Sequence, residues 1–259
     1  MKDLTVIIPI EVLDTTEKQE LFVAALSSVD DSNVLVVGDK KAIEGLADID
    51  LSKFTFATLI NTSRSKNYAG QVNFALKSVK SKYFSVLEFD DTYSPIWFKN
   101  LEMYIENDTE DTFAFLPLTE VVDYNSKGII GYANEAVWAS SFSDELGCLD
   151  IQGLENYLNF NASGGVFKTE EFLSLGGLKA SMELVFWYEF LMRALYKNKR
   201  VFVIPKVGYF HLVNRPECMT VKYAETMSEK EADWWIDLAK KEYYFPQDRK
   251  KTYTENEEE

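Results

Sequence analysis

The sequence predicts an α/β fold, with a mostly parallel sheet flanked by helices and a helical extension at the C-terminal end. Three observations indicate this fold. Strand and helix signals alternate through the first third of the chain, the early strands are continuous apolar runs, and 259 residues that are 46% hydrophobic suffice for one large domain. Alternation of this kind favours parallel pairing, and continuous apolar strands are typical of a sheet covered on both faces.

The first third contains four predicted strands, each an apolar run, at 4–10, 33–37, 54–60 and 83–89. Helices with apolar residues at helical spacing are predicted at 15–29 and 68–79. Right-handed crossovers place the carboxyl ends of parallel strands along one edge of a sheet, where ligands bind in this class of fold. We therefore expect functional side chains directly after these strands.

The second half departs from this alternation. Its predicted strands lie at 113–118, 121–124, 129–132, 201–205 and 207–212, and the turn at 125–128 predicts a hairpin. An apolar helix is predicted at 184–196. Ser228 and Glu231 form a capping box that opens a last helix, whose residues 234, 235, 238 and 239 are expected to contact the domain. We expect one domain over 1–220, followed by this helix and a charged tail over 221–259.

Charge and cysteine content exclude several classes of function. The formal net charge of −15 repels phosphate backbones and disfavours anionic lipid, so we predict no nucleic-acid partner. Cys148 and Cys218 are the only cysteines, and their spacing forms neither a zinc site nor a disulfide framework. The start of the chain lacks signal-peptide features and no run approaches the roughly 20 apolar residues of a membrane span. These features predict a soluble, cytoplasmic protein.

The sharpest chemical signal is Glu88-Phe89-Asp90-Asp91, directly after an apolar strand. Three carboxylates at the end of a parallel strand repel one another unless a cation is present. A hard divalent ion binds oxygen ligands of this kind and could bridge a diphosphate. The alternative is an acidic turn that is solvated and caps the helix after Pro95.

Other candidate residues have a structural alternative of equal or greater weight. Asn73 lies on the same helical side as Gly70, which permits close approach of two backbones, although a helix with an ordinary buried face explains both. His211, the single histidine, could complete a metal site or could simply be packed. Glu183 and Glu189 flank an aromatic helix start, where a carboxylate can act as a general base or can favour the helix dipole.

Taken in order, these segments resemble the inverting GT-A glycosyltransferases over residues 4–220. An apolar strand that ends in Pro, a helix with Gly-x-x-x-Asn, an acidic strand end, a Gly-Gly loop and a Leu-x-x-Arg-Ala helix are all features of that family. The matching residues are Val6-Ile7-Ile8-Pro9, Gly70-Gln71-Val72-Asn73, Val86 to Asp91, Leu175-Gly176-Gly177-Leu178, Leu191-Met192-Arg193-Ala194 and His211. The resemblance implies a GT-A, Rossmann-like nucleotide-diphospho-sugar transferase fold.

The resemblance also implies roles for particular residues. The nucleotide-sugar donor, for which we expect a UDP-sugar, would be bound by Pro9, Asp39, Asn73, Glu88 and Asp90. Mn²⁺ or Mg²⁺ would be held by Asp90, Asp91 and His211. Such an ion neutralises the leaving nucleoside diphosphate, while a carboxylate deprotonates the acceptor hydroxyl.

The chain departs from the family pattern at two places that matter for chemistry. The first acid of the metal motif is Glu88 rather than Asp. The family usually places Glu-Asp ahead of the arginine of the Leu-x-x-Arg-Ala helix, with the Asp as base. This chain has Phe186 and Trp187 at those positions. We therefore expect the catalytic base to be Glu183 or Glu189 at a shifted position.

These residues predict a metal-dependent, inverting glycosyltransferase of the hexosyl type. Its partners would be a nucleotide-sugar donor and a carbohydrate, lipid-linked or protein acceptor. The alternative is a GT-A-shaped domain without catalysis that serves as a binding or structural module, motivated by Trp187 in place of the base. A sugar nucleotidyltransferase would need a Gly-rich, basic loop after the first strand, and the segment 10–13 does not provide one.

Overall fold

The computed structural model describes residues 1, 3–143, 145–158, 160–182 and 185–243 of the chain. These residues form nine strands and nine α-helices. The strands are β1 (Leu4–Pro9), β2 (Asn33–Gly38), β3 (Ala57–Ile60), β4 (Tyr83–Val86), β5 (Thr92–Tyr93), β6 (Ala114–Asp123), β7 (Ile129–Ala133), β8 (Val166–Lys168) and β9 (Val201–Val213). The helices are α1 (Thr16–Ser27), α2 (Lys40–Gly45), α3 (Tyr68–Leu76), α4 (Trp97–Glu106), α5 (Ile151–Asn156), α6 (Thr169–Ser174), α7 (Phe186–Tyr196), α8 (Met219–Thr226) and α9 (Glu229–Tyr243).

The first half of the sheet is the parallel unit that the sequence predicts. Its strands run in the order β3-β2-β1-β4, and every neighbouring pair is parallel. All six residues of β1 are buried, because its neighbours and the two helical layers cover both of its faces. The carboxyl ends of these strands therefore meet at one edge, which is the edge we call the site edge.

The second half of the sheet is mixed. The three-residue strand β8 lies between β4 and β6 and is antiparallel to both. Strand β6 in turn runs parallel to β9, and β5 pairs antiparallel with β9. Because β8 reverses direction between β4 and β6, β6 and β9 run in the direction of β4 and also end at the site edge.

Two pairs of predicted strands are single strands, so those boundaries were wrong. The segments 113–118 and 121–124 belong to β6, and 201–205 and 207–212 belong to β9. The break predicted in β9 fell at Pro205, since proline lacks a backbone N–H for the ladder, and the break predicted in β6 fell at the polar residues 119–120. The structure places Pro117 and Pro205 at a register shift between β6 and β9, where Ile204 pairs with Pro117 and Val207 with Leu118. This irregularity accommodates both prolines without ending either strand.

The predicted hairpin is confirmed, since β7 pairs antiparallel with β6 across the turn at 125–128. The side chains of the sheet divide into two apolar layers. Ile7 faces the layer covered by α3, α7 and α9, and Ile8 faces the layer covered by α1 and α4. Burial on both faces explains why the strands read as continuous apolar runs.

The last helix is the one that the capping box predicts. The Glu231 backbone N–H donates to Ser228 Oγ at 3.3 Å. Ala239 is fully buried and Trp235 packs on the layer beneath α7, as expected, but Trp234 is 53% exposed and Leu238 is 36% exposed. The predicted tail, 247–259, lies outside the described residues. None of the helices described is long and apolar enough to cross a membrane.

Candidate functional site

The acidic residues after β4 form the core of the candidate site. The Leu87 N–H donates to the Ile7 carbonyl at 2.9 Å, so the chain continues beside β1 after the strand ends. It then turns, with the Asp91 N–H donating to the Glu88 carbonyl at 3.1 Å, and enters β5. This turn directs the side chains of Glu88, Asp90 and Asp91 to different partners, and each carboxylate has a distinct environment.

Asp91 holds the imidazole of His211 in place. Its side chain is buried, with Oδ2 accepting from His211 Nδ1–H at 2.8 Å and Oδ1 accepting from the Leu212 N–H at 2.7 Å. The imidazole thus has a fixed orientation, with Nε2 left for a ligand. Burial alone would lower the pKa of His211, but Asp91, with Glu88 and Asp90, raises it to about 10.

Glu88 lies in the least polar part of the cluster. Its backbone N–H donates to the Tyr209 hydroxyl at 3.1 Å, and its Oε1 accepts from Ser163 Oγ at 2.6 Å. Burial and the neighbouring Asp91 carboxylate raise the pKa of Glu88 to about 7. Ser163 reaches this position because Gly164 follows it with a φ of +75°, and a Cβ at Gly164 would lie 2.2 Å from the Tyr209 ring.

The raised pKa of Glu88 predicts a stability change with pH. The folded protein holds a proton that the unfolded chain releases between about pH 4.5 and 7, so stability falls as pH rises through that window. Glu88→Gln should therefore raise the free energy of unfolding by about 1–3 kcal/mol at pH 8 and leave it nearly unchanged at pH 4.5. Urea unfolding of metal-free protein at both pH values measures this. The control Glu145→Gln, an exposed acid paired with Arg200, should not be stabilised; an unstabilised Glu88→Gln at pH 8 would contradict the prediction.

Asp90 has an arginine as its partner. Arg215 Nε donates to Asp90 Oδ2 at 2.7 Å, and the guanidinium lies 5.0 Å from the centre of the Phe89 ring. Arg215 is only 4% exposed. Burial and then Asp91 raise the pKa of Asp90, and Arg215 opposes this shift. The sequence analysis missed Arg215, because 125 residues separate it from Asp90.

A cleft of about 440 Å³ opens beside this cluster. Its walls come from four places along the chain: the end of β1, the first turns of α3, the acidic turn, and the segment from Arg215 through α8. The lining residues are Pro9, Ile10, Glu11, Asn67, Tyr68, Gln71, Glu88, Phe89, Asp90, Arg215, Glu217, Cys218, Met219, Lys222, Tyr223 and Thr226. Pro9, Glu88 and Asp90 are thus brought together as predicted for a donor site.

Two predicted donor-binding residues have other roles in the structure. Asp39 follows β2 at the site edge, where its side chain caps α2 by accepting from the Ala42 N–H at 2.8 Å. Asn73 pairs with the backbone of Leu178 in both directions, at 2.7 and 2.9 Å, and so fixes the Gly-Gly loop. Neither residue is among the described residues that line the cleft.

The two predicted bases differ in what the structure describes. Glu189 is fully buried, with Oε2 accepting from Arg193 at 2.9 Å and Oε1 lying 3.1 Å from Lys179 Nζ. Arg193 also donates to the carbonyls of Leu175 and Gly177, so this ion pair anchors the loop that Asn73 holds. The structure does not bring Glu189 to the acidic turn. Glu183 lies outside the described residues.

Aromatic rings occupy the start of α7. Trp187 stacks on Phe167 with ring centres 5.5 Å apart, and Phe186 stacks on Tyr68 at 5.2 Å. Tyr68 lines the cleft, and its pKa is raised by burial and by Glu88. Phe186 and Trp187 therefore form an apolar wall behind Tyr68, at the two positions where the inverting GT-A glycosyltransferases carry acidic residues.

The donor atoms of the cluster fit a divalent cation. Glu88, Asp91 and His211 each offer a ligand atom, and these atoms lie within 4.8 Å of one another. Carboxylate oxygens suit Mg²⁺ and Mn²⁺, and an imidazole whose second nitrogen is held by a carboxylate is a common arrangement at metal sites. A buried carboxyl with a raised pKa, as at Glu88, gains most from a nearby cation.

Comparison with solved structures identifies the fold. TarS 1–349 from S. aureus in complex with UDP-GlcNAc matches with a TM-score of 0.59 and 16% identity, over 85% of this chain and 61% of that chain. The complex of TarS 1–349 with UDP matches with a TM-score of 0.57 and 16% identity, over 95% and 73%. The mannosyltransferase PcManGT from Pyrobaculum calidifontis, in complex with GDP-Man and Mn²⁺, matches with a TM-score of 0.56 and 14% identity, over 83% and 57%.

The described residues therefore have the GT-A-like fold of nucleotide-sugar glycosyltransferases, and the fold class predicted from the sequence is confirmed. No family model and no curated protein sequence matches the chain. The chain spans 61% of the TarS fragment solved with UDP-GlcNAc and 57% of the mannosyltransferase.

Proposed function

We propose that this chain is a glycosyltransferase that moves a sugar from a nucleoside-diphosphate donor to an acceptor hydroxyl. The observation that carries the proposal is the cluster of Glu88, Asp90, Asp91 and His211 at the carboxyl end of β4, beside a cleft on a GT-A-like sheet. Burial and the Asp91 carboxylate raise the pKa of Glu88, and perturbed pKa values of this kind cluster at functional sites.

Residues of the cleft and of the neighbouring acidic cluster would bind different parts of the donor and its metal ion. Glu88 and His211 would hold Mn²⁺ or Mg²⁺, with Asp91 fixing the imidazole and Asp90 beside them. When bound, a divalent cation supplies positive charge that stabilises the departing diphosphate. Pro9 and the first turns of α3 would form the wall against the nucleotide. Because α8 also lines the cleft, the proposed donor site draws on residues on both sides of the boundary predicted near residue 220.

The acceptor hydroxyl must lose a proton as it attacks the anomeric carbon. Glu189 is enclosed by Arg193 and Lys179, so Glu183 is the base that we propose for an inverting transfer. A UDP-sugar is the donor that we propose first, supported by the structures of TarS with UDP-GlcNAc and with UDP. A GDP-sugar is the second choice, supported by the mannosyltransferase solved with GDP-Man.

A thermal-shift screen tests the proposal. Wild type and Glu88→Gln would be compared against UDP-, GDP-, CDP- and dTDP-sugars with and without Mn²⁺. A ligand at a hundredfold excess over its dissociation constant stabilises the native state by about 2.7 kcal/mol, which is roughly 5–10 °C for a domain of this size. We expect a shift of this order with one nucleotide in wild type and in the control Glu145→Gln, and loss of its Mn²⁺-dependent part in Glu88→Gln.

A non-catalytic module is the second candidate function, favoured by the aromatic wall of Phe186 and Trp187. A nucleotide-sugar that shifts the melting temperature but is neither transferred nor hydrolysed would favour a binding module. Absence of a shift with every donor would contradict the proposed glycosyltransferase and would direct attention to protein partners.

A further inference from the structure

A positively charged side chain, that of Arg215, lies in the cleft where an anionic donor and its metal ion are expected. Arg215 is 4% exposed, yet its side chain lines the cleft. Nε lies 2.7 Å from Asp90 Oδ2 and Nη2 lies 3.7 Å from Glu11 Oε1. In a chain with a net charge of −15, this guanidinium places a positive charge beside the acidic turn, where it can attract an anion.

The segment that carries Arg215 is held to the rest of the cleft by ion pairs. We call residues 214–226, which include α8, the covering segment. Glu217 pairs with Lys18 at 3.1 Å, and Lys222 lies 3.9 Å from Glu11. Lys222 lines the cleft beside Arg215 and is 56% exposed, so a second cation stands at the same wall. Arg215 and Lys222 are therefore two cations that line the same cleft as Pro9 and Tyr68.

The pairing of Arg215 with Asp90 is suited to exchange. A guanidinium has five N–H donors in a planar fork, and it binds phosphate oxygens bidentately as readily as it binds a carboxylate. Nε donates to Asp90 and Nη1 donates to the Pro216 carbonyl at 3.1 Å, which leaves N–H groups on Nη1 and Nη2 for a further acceptor. A diphosphate that enters the cleft would accept hydrogen bonds from the guanidinium in place of Asp90. The released Asp90 carboxylate would then be available to the divalent cation that neutralises the diphosphate.

We propose that Arg215, assisted by Lys222, is the diphosphate-binding residue of the cleft, and that the diphosphate displaces Asp90 from its guanidinium. This inference rests on the proposed function, because it names how the same cleft holds the anionic part of its donor. The consequence is that Asp90 and the diphosphate compete for one cation when no metal is present, and that Arg215 takes part in binding rather than in holding the fold.

Calorimetric titration with sodium pyrophosphate and with UDP, both in EDTA, tests the proposal without relying on catalysis. Arg215→Met should weaken binding of both ligands about tenfold or more, and Arg215→Lys should weaken it less, because Lys keeps the charge but not the fork. Arg200→Lys is the matched control, since Arg200 forms an ion pair with Glu145 away from the cleft, and its binding should equal that of wild type. Melting curves for each variant establish that it is folded.

A second pair of variants separates the exchange from a general charge effect. Asp90→Asn frees the guanidinium and should strengthen pyrophosphate binding in EDTA by several-fold. In the double variant Asp90→Asn/Arg215→Met this gain should disappear, because the two effects are coupled through one contact. A gain that persists in the double variant would overturn the exchange.

The outcomes distinguish this inference from the function on which it rests. Wild type that binds UDP and pyrophosphate, with equal affinity in Arg215→Met, would overturn the inference and leave the proposed function standing. Wild type that binds neither UDP nor pyrophosphate, with or without Mn²⁺, would overturn both.

Discussion

Asp91→Asn is expected to lower the affinity for Mn²⁺ by about 10–100-fold, and any transferase rate with it. Both oxygens of Asp91 accept hydrogen bonds, one from His211 Nδ1–H and one from the Leu212 N–H. An asparagine has one acceptor oxygen and one NH₂ group, so one of these two donors would face another donor. The imidazole would then lose the contact that fixes its orientation beside Glu88.

Calorimetric titration with Mn²⁺ measures the effect of Asp91→Asn directly. Asp111→Asn is a suitable control, because Asp111 is an exposed acid that pairs with Lys168 rather than with the cluster. Equal Mn²⁺ affinity in wild type and in Asp91→Asn would show that His211 does not need this carboxylate to bind the metal ion. Asp91 would then have no role in the proposed metal site.

Arg193→Met is expected to lower the free energy of unfolding by about 3–5 kcal/mol, the usual cost of removing one partner of a buried ion pair. Glu189 has no exposed surface and, among the residues that the structure describes, would retain Lys179 as its ion-pair partner. The carbonyls of Leu175 and Gly177 would also lose their donor. Urea unfolding measures the loss, and the exposed pair provides the comparison: Arg200→Met should cost no more than about 1 kcal/mol.

A double variant separates the cost of an unpaired charge from the value of the pair. Glu189→Leu/Arg193→Met removes both charges and should recover part of the stability that Arg193→Met loses. If Arg193→Met is no less stable than Arg200→Met, the ion pair does not anchor the Gly-Gly loop in the way that its geometry indicates.

The parallel half of the sheet and the acidic turn could be predicted from the sequence because both are local signals. Each early strand is a continuous apolar run, and the three acids follow the fourth strand directly. The extents of β6 and β9 could not be predicted, since Pro205 and the polar residues 119–120 are typical of strand ends, and only the pairing of the two strands shows that each one continues. A three-residue strand such as β8 is too short for any periodicity.

The partners of the acidic residues were the hardest to predict. Glu189 was predicted as a candidate general base, because a carboxylate beside aromatic residues can have a raised pKa, but four residues later Arg193 offers a cation on the same helix face. The contacts of Asp90 with Arg215 and of Asp91 with His211 join residues that lie 125 and 120 positions apart. No local pattern specifies such pairs, since the sheet topology decides which strand ends come together.

The two walls of the cleft belong to parts of the molecule with different cooperativity. Asp91 is held by His211 and Leu212 on β9, a strand that begins in the apolar core and pairs with β6 along ten residues, so this wall can move only if the sheet itself opens. The opposite wall, formed by the covering segment, combines the buried Arg215–Asp90 pair with the ion pairs of Glu217 and Lys222, whose side chains are exposed and whose pairs are weakened by salt. The exposed ion pairs of the covering segment therefore contribute little to holding it in place, whereas the acidic turn is held by the paired strands of the sheet.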